Sequence, residues 1–402
     1  APTVDFSFTE DVEAFRQEVR GFLAERLTPE VEDEFRHCTD YYHGFNKRIT
    51  REIGEQGWLT MTWPVEDGGR GASIWHRVAF DEEMAAAHAP MASHQVAANF
   101  VGPGIVHWGT EAQRRRHLPP ITRGEVTWAF GLTEPNAGTD LGSVETRADR
   151  DGDEWVINGS KMYTEHIQDS EWLCLMVRTD QEAPKHRGLS LMVIDPRTRG
   201  VQVTPLWTMD GYRVNQVFFE DVRVPADSLI GEENRGFYHL IASLNQSRAA
   251  GIGGSGLGGW ASEQVDLDGL VRVAAGRAGE DGRPLIDDSW VQDGIADYAI
   301  YVRTMRLLAY RVASVMERGG LAPDKETSVK EVWWKHYAQE HVRFGGEMLG
   351  LAGQVGQESP EHAPMRARWQ RRYMAHIAGA HNGGTVENAL NTTAGRVLAL
   401  PR

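Results

Sequence analysis

The stretch VETRADRDGDEWVING (Val144–Gly159) decides how the chain folds. Two short β-rich runs, VETRADR and EWVIN, flank Asp151-Gly152, and Gly159 closes the stretch. Asp-Gly between alternating runs supplies the left-handed backbone that a tight hairpin requires, so the stretch predicts two antiparallel strands. Outward from it the same texture continues. EWLCLMVRT (Glu171–Thr179), LSLMVID (Leu189–Asp195) and NQVFFEDVRV (Asn215–Val224) are further β-rich runs bounded by turn signals. No helical pattern separates them, which predicts an antiparallel barrel or sandwich over residues 126–230.

Both flanks read as helix. In DVEAFRQEVRGFLAERL, Val12, Phe15, Val19, Phe22 and Leu23 fall on one helical face. HRVAFDEEMAAAHAPMASHQVAANF continues in that style with Ala and Met. Past residue 230 the clearest stripe is Val291, Ile295, Tyr298, Val302, Met305, Ala309, Val312 and Met316. Its alternation of four and three predicts a long helix packed in a bundle. The expected fold class is α+β and multi-domain: an N-terminal helical domain over 1–125, a middle β domain over 126–230 and a C-terminal bundle over 231–402.

The 402 residues allow one large multilayer unit or two to three domains. A hydrophobic content of 41% and a charged content of 25% are those of an ordinary globular protein. No apolar run is long enough to span a bilayer. The acidic start APTVDFSFTEDVEAFRQ lacks the basic region of a secretory signal, so a cytoplasmic location is expected. A net charge of -15 argues against a nucleic-acid binder, though a local basic patch for a phosphorylated ligand stays open. Cys38 and Cys174 form no CxxC and no disulfide framework, and read as small core residues.

Two motifs are decoys. GIGGSG (Gly251–Gly256) fits the dinucleotide pattern G-x-G-x-x-G, but that chemistry needs a strand before it and a helix after. Here FYHLIASLNQSRAA precedes it and reads as helix, so close helix–helix or backbone–ligand approach is the better reading. The fifteen histidines include no HExxH. His336 and His341 are five apart, on different faces of a helix, and no metal site is expected.

WAFGLTEPNAGTDLGSVETRA (Trp128–Ala148) carries most of the chemistry. It is a Thr-Glu-Pro turn followed by small residues. Thr133, Gly138 and Thr139 offer hydroxyls and close backbone amides without side-chain bulk, which suits a planar polar ligand or a phosphate as well as a plain turn.

LTEPNAGTD resembles the L-T-E-P-x-A-G-S-D signature of the acyl-CoA dehydrogenases. The likeness runs over nearly the whole chain, through GTEAQRRRHLPPITRGE, DGDEWVINGSKMYT, FFEDVRVPADSLIGEENRGF and the terminal GRVLALPR. These closing residues, with APKHRGLS and GRPLIDD, look most like the actinobacterial dehydrogenases acting on steroid side-chain CoA esters. The resemblance implies helical, β-barrel-like and four-helix-bundle domains, in the order already read from periodicity. It implies FAD between the β domain and the bundle, an acyl-CoA thioester substrate, α,β-desaturation, and an electron-transferring flavoprotein as acceptor. Carried over residue by residue, Phe130, Leu132, Thr133, Gly138 and Thr139 line the flavin or its pyrophosphate, and Arg248 sits near the CoA arm beside Ser247. HNGGTVEN (His381–Asn388) also gains a role. Gly384, Thr385 and Glu387 match a Gly-Thr-x-Glu segment whose backbone approaches FAD, which explains glycines in an otherwise helical region.

The chain departs from the family at four places. The catalytic base stands either directly before the Gly-Thr pair, here Gly383, or directly before the Arg of LNQSR, here Ser247. Glycine cannot titrate, and a serine hydroxyl is a poor base without an activating partner. Where the family has an aromatic and then a small hydroxyl near flavin N5, this chain has Met162, Tyr163, Thr164 and Glu165. Tyr163 keeps a π-face, but the Glu165 carboxylate disfavours an anionic reduced flavin. Glu347 and Leu351 break the Gln-x-x-Gly-Gly-x-Gly pattern, and Arg277 is one position out of register with Arg-x-x-Phe-Gly. Together these point to the base-less chain of a heteromeric (α2β2) dehydrogenase with a homologous partner. Beside a non-enzymatic scaffold with no flavin, two enzymatic alternatives remain open. One is a base-less flavoenzyme of another class, eliminating a group such as sulfinate or acting as a monooxygenase. The other is a self-sufficient dehydrogenase whose base has moved, with Glu165 the first candidate.

Overall fold

The computed structural model describes residues 7–31, 45–250, 256–279, 281–319, 324–356, 359, 361–379 and 384–401, the side chains of 92–93, 244–250 and 378 excepted. In chain order the helices before the sheet are α1 (Glu10–Arg26), α2 (Lys47–Glu55), α3 (Ile74–Ala86), α4 (Ala92–Val96), α5 (Gly102–Trp108) and α6 (Glu111–Thr122). The strands are β1 (Trp128–Gly131), β2 (Arg147–Asp151), β3 (Glu154–Glu165), β4 (Trp172–Arg178), β5 (Leu189–Ile194), β6 (Val201–Trp207), β7 (Arg213–Pro225) and β8 (Leu229–Ile230). Then come α7 (Gly236–Ala250), α8 (Gly259–Gly276), α9 (Ser289–Glu317), α10 (Asp324–Leu349), α11 (Arg368–Gly379) and α12 (Val386–Thr392).

The chain divides into two compact units that are not contiguous in sequence. One gathers Ala1–Val31, Ser73–Ala89 and Gly253–Arg402; the other gathers Glu32–Ala72 and Pro90–Ile252. The first is helical, the second holds the sheet.

In the helical unit, α9 buries Val291, Tyr298, Val302, Met305, Ala309 and Val312, so the four-three stripe is its core face. Close approach lets α10 and α11 share that core. A Cβ on Gly345 of α10 would stand 2.0 Å from the Trp369 ring of α11. Trp369 is buried and donates its indole N–H to the carbonyl of Val342 (2.8 Å). A charged cluster is buried beside these apolar residues. The Arg372 guanidinium binds both carboxylate oxygens of Glu263 (2.7 Å each), and Arg368 binds Asp266 (2.6 and 3.1 Å). The Tyr298 hydroxyl donates to Glu263 (2.6 Å), and His341 stacks on the Tyr298 ring at 4.9 Å. A second network joins α1 to α3, where Arg16 and Arg20 hold Glu82 and Glu83.

In the other unit, eight strands form one sheet of order β6-β7-β3-β2-β4-β5-β8, with β1 alongside β4. The Asp151-Gly152 hairpin forms as the sequence implies: Asp151 pairs with Glu154, and Gly152 takes φ 60°. The sheet is antiparallel except at β4, which runs parallel to β1 and meets β2 in a single parallel pair, Arg147 opposite Arg178. The long excursion through the β2–β3 hairpin between β1 and β4 is what permits a parallel pairing. One face of the sheet buries Trp155, Ile157, Leu173, Leu175, Val217 and Val222. A separate core gathers Trp128, Leu132, Cys174 and Met176 with Phe100, Val101 and Ile105 from the helices before the sheet and Leu240 from α7. Burial pushes the Cys174 thiol up to about 12, as fits an inert core residue.

Candidate functional site

In the sheet unit, β1 ends in a loop whose backbone is fixed almost wholly by side chains. Glu134 and Ala137 exchange backbone hydrogen bonds (3.0 and 3.1 Å) around Pro135-Asn136. The Glu134 carboxylate then accepts the amides of Glu145 (2.6 Å) and Thr146 (2.9 Å). The Lys161 ammonium donates to Glu134 (2.8 Å) and to the carbonyl of Leu132 (3.1 Å). Arg178 donates to the carbonyls of Val144 (3.0 Å) and Gly142 (2.8 Å). Lys161 is fully buried, and that burial pulls its ammonium down to about 8 against the pull of Glu134. For Glu134, desolvation raises the pKa, but the Lys161 charge and the donated hydrogen bonds outweigh it, and the carboxyl is held below its usual range.

This arrangement presents the expected ligand residues. Leu132 is buried, Thr133 half-buried, and Gly138 and Thr139 are exposed. A Cβ on Gly138 would meet nothing within 4 Å. Phe130 packs against Phe100 with ring centroids 5.6 Å apart. The amide of Met162 donates to the carbonyl of Thr133 (2.8 Å), which ties this loop to β3.

β3 breaks register with β7 between Lys161 and Thr164, so Met162 and Tyr163 bulge from the ladder. Tyr163 takes φ 58° and leaves its ring 57% exposed. Thr164 returns inward. Its hydroxyl is buried with no hydrogen-bond partner among the described residues, and its carbonyl accepts from Asn215 (2.9 Å). Glu165 is half-buried opposite Val214. His166 follows with φ 53° and stacks on Phe45 at 4.7 Å. Two non-glycine residues with positive φ within four positions mark a strained segment, of the kind that clusters at ligand sites.

The remaining expected residues lie on other elements. In the helical unit Gly384 takes φ 102°, a conformation that favours glycine, and its carbonyl accepts from the Lys335 ammonium. Thr385 caps α12, its hydroxyl accepting the Asn388 amide (3.4 Å), and Glu387 is exposed in the first turn. Gly383 lies outside the described residues. Ser247 and Arg248 occupy the last turn of α7, with their side chains outside the described residues. The departures at the end of α10 have local partners. Arg277 donates to the carbonyl of Leu349 (2.8 Å), Glu347 pairs with Arg343 (2.9 Å), and Leu351 is 82% exposed.

Sequence reasoning missed Lys161 and Lys335. A lysine in a β run reads as a solvated residue. The only available signal for Lys161 was its core-facing place in the alternation after Trp155 and Ile157. GIGGSG is preceded by helix α7, and its residues 251–255 lie outside the described residues. Among the described residues no cluster of three His, Cys, Asp or Glu could hold a metal. No described helix is long and apolar enough to cross a membrane.

Comparison with known proteins gives three consecutive matches. The acyl-CoA dehydrogenase N-terminal, middle and C-terminal domain models match residues 9–125, 129–222 and 234–398. The chain is 33% identical to acyl-CoA dehydrogenase FadE26 of Mycobacterium tuberculosis, over 98% of each chain. It is 33% identical to acyl-CoA dehydrogenase IpdE1 of the same organism, over 98% of this chain and 99% of the relative. Among solved structures it is similar to the ChsE4-ChsE5 complex from Mycobacterium tuberculosis (TM-score 0.89, 32% identity, 99% and 100% coverage). The Tcur3481-Tcur3483 steroid ACAD is similar too (TM-score 0.89, 30% identity, 99% and 100% coverage).

Proposed function

Since the chain belongs to the acyl-CoA dehydrogenase family, oxidoreductases acting on CH–CH donors, we propose that it is the base-less subunit of a heteromeric FAD-dependent dehydrogenase. That enzyme α,β-desaturates a steroid side-chain acyl-CoA thioester. The observation that carries the reading is the absence of a carboxylate at both usual base positions, Ser247 and Gly383. The two-chain composition of the similar ChsE4-ChsE5 and Tcur3481-Tcur3483 assemblies supports it.

Members of this family are FAD flavoproteins. The residues of the sheet unit fit such a group. The loop at Gly138–Thr139 is exposed and carries no bulk, since a Cβ at Gly138 would meet nothing within 4 Å. Tyr163 offers an exposed ring from a strained bulge. Phe130, Leu132, Thr133, Gly138, Thr139, Tyr163, Thr164 and Glu165, with Gly384, Thr385 and Glu387, are the residues that would hold it. When bound, FAD supplies the acceptor for the hydride lost from the β-carbon. The chain's own residues orient and shield. Thr133 and Thr139 donate hydroxyl hydrogen bonds, and Tyr163 gives a π-face. Arg248 meets the CoA arm. The α-proton would go to a carboxylate of the homologous subunit, because neither Ser247 nor Gly383 can take it. Electrons leave to an electron-transferring flavoprotein.

The test is the visible spectrum and mass of the chain, purified alone and then with its homologous partner. Flavin absorption only in the mixed complex is the expected result. One flavin per chain in a homo-oligomer would overturn the reading. It would favour a redirected enzyme, with Glu165 and Ser247 the first residues to substitute.

A further inference from the structure

The loop between β1 and β2 belongs to no ladder over most of its length, so its backbone groups need other partners. Charged side chains supply them. Glu134 takes two amides, Lys161 takes one carbonyl and Arg178 takes two more. Lys161 also occupies the last position of β3 before the bulge that turns Tyr163 outward. One buried ion pair therefore joins both segments proposed to face the cofactor. The pair is an expensive way to fill a core, because apolar residues of similar volume stabilise a fold as well or better. What the pair adds over an apolar filling is the partners of the loop's own backbone, so it fixes the path of the loop.

We propose that Lys161 is a positioning residue: paired with Glu134, it clamps the 132–146 loop to β3 so that Phe130–Thr133 and Tyr163–Glu165 form one rigid ligand-binding surface. The inference rests on the cofactor reading for its purpose, but the clamp itself has an independent readout. Lys161 acts through the Leu132 carbonyl and through Glu134. The Met162 amide donating to the Thr133 carbonyl is a second tie between the same two segments.

The test uses the full chain, alone and co-expressed with its homologous partner. Removing only the ammonium, Lys161→Met, strands a buried carboxylate and can unfold the unit. The decisive variant is therefore K161M/E134Q, which is neutral and keeps one acceptor oxygen for the Glu145 and Thr146 amides where the carboxylate offers two; E134Q alone, which keeps the ammonium, is the control for that lost acceptor. Amide hydrogen exchange is followed by mass spectrometry over 132–146 and over β4–β7. Flavin retention in the complex is followed by absorbance after dilution. The expected result is exchange about tenfold faster over 132–146, with β4–β7 unchanged and flavin lost about tenfold more readily. Wild-type exchange in the loop would overturn the clamp. Faster exchange spread evenly across the sheet would also overturn it, since that is a merely structural role. Faster loop exchange with unchanged flavin retention would overturn the positioning role. A wild-type complex without flavin would instead end the cofactor reading, and the clamp would still be judged on exchange.

Discussion

At the scale of single residues, the proposed flavin site turns on Glu165 more than on Tyr163. Under the proposed function Tyr163 would keep a flat face toward the flavin, and the Glu165 carboxylate would add charge where reduction builds up negative charge. Removing it by E165Q in the flavin-loaded complex should raise the flavin's reduction potential by roughly 30 mV, the equivalent of about 1.4 kcal/mol for two electrons. Spectroelectrochemical titration measures this, and an unchanged potential would place Glu165 away from the ring. The local patterns behind the proposed site were legible at this scale. LTEPNAGTD and the Gly-Thr pair are local patterns, and the strained backbone at Gly384 follows from the residue itself. Lys161 was not legible. Its burial depends on Glu134, 27 residues away, and on a loop path that no local pattern encodes.

At the scale of elements, helix contacts and caps carry the clearest consequences. Gly345 lets α10 approach α11 until its missing Cβ stands 2.0 Å from a buried tryptophan ring. G345A must push Trp369 away, and should destabilise by about 2–3 kcal/mol, read as a lowered denaturant midpoint. The start of α6 is a capping box in which Thr110 and Gln113 satisfy each other's amides (3.2 and 2.9 Å). T110A should lose about 1 kcal/mol in the same measurement. Helix and strand identities were readable from periodicity, as the stripe on α9 and the Asp151-Gly152 hairpin illustrate. The parallel pairing of β1 with β4 was not, because strand direction in a sheet depends on the route of the intervening chain and leaves no trace in alternation.

At the scale of the whole molecule, the helical unit should be sensitive to acid. Burial pulls His88, His341 and His376 down to about 4. A histidine held neutral in the folded state contributes stability that is complete above about 6.5, the unfolded value, and is lost as pH falls toward 4. The carboxyls of Glu263 and Asp266 are also depressed, chiefly because the charges of Arg372 and Arg368 outweigh desolvation, so they act in the same direction at lower pH. Asp81 opposes them: burial raises it to about 6, so its protonation favours the folded form as pH falls below that value. Burial also raises Glu82, which acts with Asp81, but three histidines and two depressed carboxyls against these two leave a net loss. Urea midpoints measured between pH 7 and 4 should fall steadily. H376Q should flatten the slope by about one proton, because a neutral amide replaces a group that otherwise takes up a proton on unfolding. A midpoint independent of pH over that interval would show these histidines to be solvated.

The interleaving of the two units sets an order of events during synthesis. Pro90–Ile252 completes the sheet unit while α1 and α3 have been made but α8, which follows Gly253, has not. At about 5–20 residues per second, the ~160 residues between Ala89 and Gly253 take roughly 8–30 s to emerge. Through that interval the earliest helices can pair only with each other, through Arg16, Arg20, Glu82 and Glu83. Their apolar faces must wait for the end of the message. A nascent chain whose residues up to 252 have emerged should therefore resist protease across the sheet unit and be cut within 1–31 or 73–89, the segments whose unit is still incomplete, and it is at this stage that a chaperone has most to hold.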